Sequence, residues 1–434
     1  MMSNNNAKTR TSGVGFTDTD NSRKVSTSRV CMQIYDSFDE LSSMQQEWDS
    51  FVEDVGSEIF LTYDWCRIWW KYYGKHRDLK VFVFRKDTNL VGIIPLFFER
   101  IWLGPVYVRA LKIVGSDFGI FTISLPVQKQ YLNIVIEKLL SDLFGGYQCD
   151  ILDIGPLGGL YECLDELTEA CRRFSLSYCV AVVDTDVHTY FKLANSWDGY
   201  LASLKKKERQ LMRSCYKKID KDSFELNTEF ATADDFGQKF DKFTQIHQSQ
   251  WQKLGKAGHF GDWPQSLQFH REVAYSQLKH NRLRLLEVRL TEDCFAYQYS
   301  YSFGDKYFEL LIGRSIPDDL SYIDLGRVVF GEQLKNAIKE DKHYVDSMRG
   351  RYEYKLNWGG KLFPVKTIYI WRREPLVRAR VFAFRILALL LRICYYRIWY
   401  CRIRPRLPFI RKNPLWKVWI RTNAFAHCRG SSCA

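Results

Sequence analysis

The sequence holds 12 cysteines and 8 histidines, yet it has no Cys-x-x-Cys pair and no His-Glu-x-x-His or Cys-x-x-His spacing. Metal centres draw their ligands from close pairs of this kind, so no metal is expected. The opening residues, MMSNNNAKTRTSG, lack an apolar core. Neither a signal peptide nor a membrane anchor is expected there, and the thiols should be reduced and mostly buried. No fixed short repeat recurs, which argues against solenoids and propellers. Acidic residues almost vanish from the end of the chain. Arg372 to Ala434 holds 15 Lys and Arg against the single acid Glu374.

What is present points to a folded chain. Of its 434 residues, 15% are aromatic, with 13 Trp, 25 Tyr and 29 Phe, enough for a sizeable core. The length suits two or three domains. The net charge of +13 resides in the tail, because the other 371 residues carry 48 basic and 49 acidic side chains. A neutral body disfavours nucleic acid as a partner.

Residues 1–28 are rich in Asn, Ser, Thr and Asp and read as a disordered leader. Val30–Tyr35 reads as a strand, and Phe38 to Val52 repeats apolar residues at helical spacing. A second helix runs from Phe60 through Trp69 and Trp70. Leu79–Arg85 and Leu90–Phe98 form a hairpin around Asp87-Thr88-Asn89. A helix from Val127 to Leu143, a strand Asp150–Ile154, a helix Leu164–Phe174 and a strand Tyr178–Val183 follow. The second half predicts a long helix Trp197–Asp220 and helices Asp234–Gln252 and Ser266–Lys279. Three strands come next, Leu283–Leu290, Cys294–Phe303 and Lys306–Ile312. A helix Asp324–Lys339 and strands Tyr344–Ser347 and Lys361–Ile370 complete it. Each half thus reads as helices, an antiparallel meander, helix, strand, helix, strand. The expected organisation is a leader 1–28, α/β units 29–195 and 196–371, and a basic tail 372–434.

Several stretches carry a family resemblance. They are Phe60 to Trp70, Leu90-Val-Gly-Ile-Ile-Pro-Leu96, Gly115-Ser-Asp-Phe118, Trp197 to Leu204 followed by Lys205–Lys207 and Arg209, His247 with Trp251, Gly255 and Phe260, and Asp346, Arg349-Gly350 and Tyr354-Lys355. In this order they resemble the GNAT acyltransferases, in particular the FemAB-like branch and its CelD-type members of cellulose and exopolysaccharide biosynthesis. The resemblance covers about 30 to 370. It implies two tandem GNAT-like domains with mixed, largely antiparallel sheets flanked by helices, and a basic helical tail.

It also implies site residues. GNAT folds bind the pyrophosphate of an acyl-coenzyme A at a helix N-terminus, where free N–H groups and the helix dipole favour anions. The matching positions are Gly313, Arg314, Gly326 and Arg327, with acetyl-CoA as donor. Asp324 suits an N-cap but would repel phosphate, so an ordinary capped helix is the alternative. Asp346, at a strand end, is either a general base or an ion-pair partner of Arg349 or Arg351. Lys355 and Tyr354 would stand beside the acyl carbonyl; otherwise Lys355 is an exposed turn residue. His247 is either a base or an imidazole packed against Trp251. Lys205–Lys207 and Arg209 are either a solvated face or an anion site.

The tail has its own pattern. Arg378, Arg385 and Arg392 recur every seven residues among apolar ones, and the longest uncharged run is Ile386 to Leu391. That is far short of the ~20 residues a span needs. Residues 375–404 could lie on an anionic membrane surface, pack on the chain's own domain, or meet a polyanion.

The expected function is therefore transfer of an acetyl or similar group from acyl-CoA to a hydroxyl or amine of a saccharide or glycan precursor. The expected location is cytoplasmic, peripheral at the inner membrane face. The alternatives are a FemAB-type aminoacyl-tRNA-dependent transferase and a non-catalytic polysaccharide assembly factor.

Overall fold

The computed structural model describes residues 30–117, 121–253, 258–262, 264–315 and 320–403, with 406, 421, 422 and 425 beyond them. The expected leader, Phe118 and Gly255 lie outside the described residues.

The first half contains β1 (Val30–Tyr35), α1 (Gln45–Asp54), α2 (Tyr63–Tyr73), β2 (Asp78–Lys86), β3 (Asn89–Leu103), β4 (Val106–Ile113), α3 (Leu132–Gly145), β5 (Ile151–Leu157), α4 (Leu164–Arg173) and β6 (Tyr178–Lys192). The second contains α5 (Trp197–Ser203), α6 (Lys206–Lys221), β7 (Leu226–Phe230), α7 (Phe236–Lys253), α8 (His259–Asp262), α9 (Ser266–Lys279), β8 (Leu283–Leu290), β9 (Asp293–Phe303), β10 (Lys306–Arg314), α10 (Leu325–Lys339), β11 (Tyr344–Arg349), α11 (Glu353–Asn357) and β12 (Lys361–Arg372). Helix α12 (Pro375–Ile393) then continues as a π-helical stretch, Cys394–Ile403.

The described strands form one twelve-stranded mixed sheet, in the order β1-β2-β3-β4-β5-β12-β6-β11-β10-β9-β8-β7. This order is a palindrome of two equivalent halves with their last strands exchanged. Strand β6, from the first half, pairs with β11, while β12, from the second, pairs with β5. The two exchanged strands pair with each other from Lys361↔Tyr190 to Arg372↔Tyr178. In each half one parallel pair interrupts the antiparallel pattern: β4 with β5 over Ala110–Lys112, and β10 with β11 over Lys306–Phe308. Each parallel pair is short, so its strands part beyond Asp153 and Asp346.

Local chemistry accounts for most elements. Leu90–Phe98 is a near-continuous apolar run because β3 is buried on both faces there. Helices α2 and α9 pack together in an aromatic layer. Trp65 meets Tyr301 with ring centroids 5.2 Å apart, and Tyr73 meets Phe269 at 5.3 Å. Edge-to-face and tilted rings of this kind add to the burial that the aromatic content supplies. The expected long helix Trp197–Asp220 is two helices, because Leu204 and Lys205 are extended (ψ 154° and 144°). Ser196 caps the first by accepting from the Gly199 amide at 3.1 Å. Strands β4 and β7 are additions to the sequence reading, and β6 continues nine residues past Val183.

Helix α12 begins with Pro375 in its first turn, where the missing N–H costs nothing. Its Val377, Val381, Phe384 and Ala388 are buried against Ile101, Val108, Ala110, Ile151 and Val183 of the first half and Tyr369 of β12. Arg380 ties the helix down, 3.2 Å from Asp150, which also accepts from Arg109 at 2.7 Å. Burial alone would raise the Asp150 carboxyl, but the Arg109 bonds and the Arg380 charge hold it below its ordinary value. This face of α12 thus packs on the sheet, and these apolar residues are withheld from any membrane. A second stripe, Phe382, Ile386, Leu390 and Ile393, remains exposed. No described helix is long and apolar enough to cross a membrane.

The two faces make opposite predictions. Phe384→Ala should cost about 3–5 kcal/mol in urea denaturation, the usual loss for a buried Phe. Phe382→Ala, on the exposed face, should change stability by less than about 0.5 kcal/mol. Similar losses at both positions would contradict this packing.

Candidate active site

The parting of β10 from β11 is filled by polar side chains. Asp346, on β11, is completely buried. Its Oδ1 accepts from His188 Nε2, on the exchanged strand β6, and from the Met348 amide at 2.9 Å. His188 is equally buried, with Nδ1 3.1 Å from Thr122 Oγ1 and its ring 4.2 Å from that of Tyr190. Burial, reinforced by the Asp346 charge, drives the Tyr190 phenol well above its ordinary value, so it stays protonated.

Strand β11 bulges here. Its register on β6 runs Asp346↔Tyr190 and then Arg349↔His188, so Ser347 and Met348 together stand opposite the single residue Thr189. Met348 adopts a left-handed φ of 60°, which costs roughly 1–3 kcal/mol in a residue with a β-carbon. Two side chains hold it there: Asp346 takes the Met348 amide, and Lys355 Nζ donates to the Ser347 carbonyl. Ser347 Oγ in turn donates to Glu309 on β10 at 2.6 Å.

Lys355 sits on the single-turn helix α11 and is 5% exposed. The helix is anchored just beyond its end. Trp358 stacks on Phe330 at 4.7 Å, and its carbonyl accepts from Tyr200 at 2.6 Å. Burial pushes the Lys355 amine down from its ordinary value, against the pull of Glu309 and Asp346. Burial also pushes the Glu309 carboxyl up, although Lys355 and Ser347 oppose it. Opposite shifts in two adjacent groups are the pattern of an acid–base site. Tyr354 lies on the outer side, half exposed, its phenol raised by burial and by Glu309.

The structure therefore brings Asp346, Lys355 and Tyr354 together but leaves His247 elsewhere. His247, on α7, bonds the Ile312 carbonyl through Nδ1 at 2.7 Å and His259 Nδ1 through Nε2 at 3.1 Å. Burial lowers its pKa to about 4. Gly313 serves the packing of that helix: a β-carbon there would meet the His247 amide nitrogen and the Phe243 carbonyl oxygen, each at 3.1 Å. Arg327 is committed to Glu208 at 3.0 Å and Asp324 at 3.3 Å. Lys205, Lys206 and Lys207 are exposed on the start of α6.

Of the four positions expected to bind the donor, Arg314 and Gly326 lie together at the start of α10. Asp324 caps α10 by accepting from the Arg327 amide at 3.1 Å. The Arg314 guanidinium lies against Gly326, where any β-carbon would collide with it. Among the described residues no carboxylate pairs with Arg314 in a salt bridge. A helix N-terminus with a glycine and an adjacent arginine guanidinium fits a phosphate group, with the Asp324 charge offset by Arg327. Sequence reading missed His188, Glu309, Ser347 and Thr122. Only Glu309 left a signal, a carboxylate inside an otherwise apolar strand.

Comparison with known proteins bears on the fold and the reaction class. A family profile described as "Acetyltransferase (GNAT) domain" matches residues 206–356, about a third of the chain, including Glu309, Asp346 and Lys355. The crystal structure of FemX superposes with a TM-score of 0.56 at 11% identity, covering 77% of this chain and 98% of FemX. A conserved protein of unknown function from Bacteroides thetaiotaomicron VPI-5482 gives 0.50 at 12% identity, covering 79% of this chain and 100% of that one. No curated protein matches the sequence. These structural likenesses show a shared fold, and the profile match supports acyl transfer as the reaction class.

The histidine assignment is directly measurable. Because its folded pKa lies below the unfolded 6.5, His247 should remain neutral in NMR titrations down to about pH 5. Its burial then lowers stability as pH falls from 6.5 toward 4, because only the unfolded chain takes up the proton. A His247 imidazole that titrates near 6.5 would place it in solvent.

Proposed function

We propose that this protein transfers an acetyl or similar acyl group from an acyl-CoA thioester to a hydroxyl or amine of a saccharide or glycan precursor, as the CelD-type resemblance implies. The observation that carries the reading is the largely buried Glu309–Ser347–Lys355–Asp346 cluster, with Glu309 at its partly exposed end, at the strand parting and inside the stretch that matches the acetyltransferase profile.

The residues divide the work by charge. Glu309, partly exposed and with a raised carboxyl pKa, takes the proton from the acceptor as it attacks. Lys355 Nζ and the Tyr354 hydroxyl face the charge that develops on the acyl oxygen, where pre-positioned donors act most strongly. Asp346 acts through His188 and the Met348 amide, fixing the bulge that presents Ser347 and Lys355. Arg314 and the Gly326 turn would hold the donor's pyrophosphate, and a bound thioester would supply an activated carbonyl. A second reading, a non-catalytic polysaccharide assembly factor, is favoured by one feature. Asp324 occupies the very turn that a coenzyme phosphate would use.

The same reading puts the protein at the inner face of the cytoplasmic membrane, through the exposed side of α12. Phe382, Ile386, Leu390 and Ile393 lie on one face of the helix, with Arg378, Arg385 and Arg392 along its edge.

Five measurements test this. Acetyl-CoA should bind the protein in titration calorimetry, and Arg314→Ala should weaken binding by about tenfold or more. No heat with the folded protein would remove coenzyme A and favour the second reading. Lys355→Met should lower kcat by about 10²–10³-fold with little change in KM. The activity should rise above the ordinary carboxylate value of 4.5, as Glu309 ionises, and fall below the ordinary lysine value of 10.5, as Lys355 loses its proton. Extracellular glycan from a deletion strain should lose acyl mass; an unchanged glycan would reject the saccharide acceptor. Finally, Ile386→Glu with Leu390→Glu should abolish sedimentation with anionic vesicles, and unchanged pelleting would reject the membrane contact.

A further inference from the structure

The palindromic sheet means that the parting of β10 and β11 has a counterpart between β4 and β5. The registers coincide residue by residue. Lys112 stands opposite Asp153 in one parallel pair, as Phe308 stands opposite Asp346 in the other. On the exchanged strands, Tyr369 faces Asp153 just as Tyr190 faces Asp346. The first half has therefore kept the same carboxylate and the same tyrosine at the same places.

This second parting is also lined with buried charge. Asp117 accepts from both Arg77 and Lys112, and Arg77 reaches Glu99 at 3.2 Å. Burial would raise the Asp117 carboxyl, but the Lys112 and Arg77 charges hold it low. Asp153 differs. It is 2% exposed, and its Oδ1 has no hydrogen-bond partner.

What closes this cluster comes from the far end of the chain. Arg421 Nε lies 2.9 Å from Glu99, and its carbonyl accepts from Lys112 Nζ at 3.1 Å. Phe425 is buried. Its ring lies 5.8 Å from Tyr369 and 5.5 Å from Phe384, with Lys112 Nζ above it at 5.5 Å. Thr422, between them, is 1% exposed. Beside Phe425 opens a groove of about 620 Å³, lined also by Trp371, Val381 and Arg385. A guanidinium on a buried carboxylate, followed by an aromatic ring seated on a tyrosine, is how a binding site holds a peptide anchor.

We propose that the first half holds a second ligand site, laid out on the plan of the first, and that Arg421, Thr422 and Phe425 of the same chain are its resident ligand. The ligand class is a peptide segment carrying an arginine and an aromatic residue four positions later. The inference uses none of the residues of the candidate active site and is independent of the acyl-transfer reading.

The test uses the full chain carrying Arg421→Ala and Phe425→Ala, with a fluorescein-labelled synthetic peptide of residues 417–429 as probe. Fluorescence anisotropy should show the probe binding this variant about tenfold or more tighter than the wild type, whose own segment competes. Adding Glu99→Gln should return binding to the wild-type level. Equal affinity for wild type and variant, or no binding to either, overturns the proposal. A second measurement does not depend on the double variant folding. Trypsin should spare the Arg421–Thr422 bond of the wild-type chain and cut it about tenfold faster in E99Q that circular dichroism shows to be folded, because cleavage follows the open population. Equal cleavage rates overturn it as well.

Discussion

The pairing of β6 with β12 is the contact on which the rest of the molecule depends. It joins strands taken from opposite halves, and twelve residues of each take part, from Lys361↔Tyr190 to Arg372↔Tyr178. Without it β12 and β6 would each be an open edge, with backbone N–H and C=O groups exposed at the centre of the protein. The exchange also furnishes the candidate active site. His188 lies on the strand contributed by the first half, while Asp346 and Lys355 belong to the second. Neither half alone holds the complete set.

Within that frame, strain and chemistry are the same set of contacts. The β11 bulge would relax if Asp346 released the Met348 amide or Lys355 released the Ser347 carbonyl. The groups assigned to acyl transfer are thus also those that keep the strand bent. This is why Lys355 tolerates burial with a depressed pKa, and why Glu309 can keep a raised one beside it. Each partner offsets part of the other's desolvation, and the opposing shifts leave a base and a cation adjacent near neutral pH.

Much of the fold was legible in the sequence. The α9, β8 and β10 segments declare themselves by period, because each has one clear buried face or run. The failures are physical. Nothing in Ser203-Leu204-Lys205 marks a helix break, since there is no Gly or Pro and the turn is set by tertiary packing. Strand pattern says that β6 and β12 exist but not which neighbour each pairs with, so their exchange is invisible from local sequence. The site was half legible for the same reason. Asp346, Tyr354 and Lys355 sit close together in sequence, but His188 is 158 residues from its partner Asp346. His247, next to a tryptophan on an amphipathic helix, has the residue type of a catalytic base and the surroundings of a core residue.

The strand exchange also sets a clock on synthesis. Strand β5 is complete at Leu157, but its partner β12 begins only at Lys361. At roughly 5–20 residues per second, the first half waits about 10–40 s on the ribosome with its inner edge open. During that interval it is a five-stranded sheet that can recruit any extended chain, including a second nascent copy. The cell must cover that edge, with a chaperone or with slow release, until the last strand arrives. Polysomes, where nascent copies crowd together, are therefore where misassembly of this protein would begin.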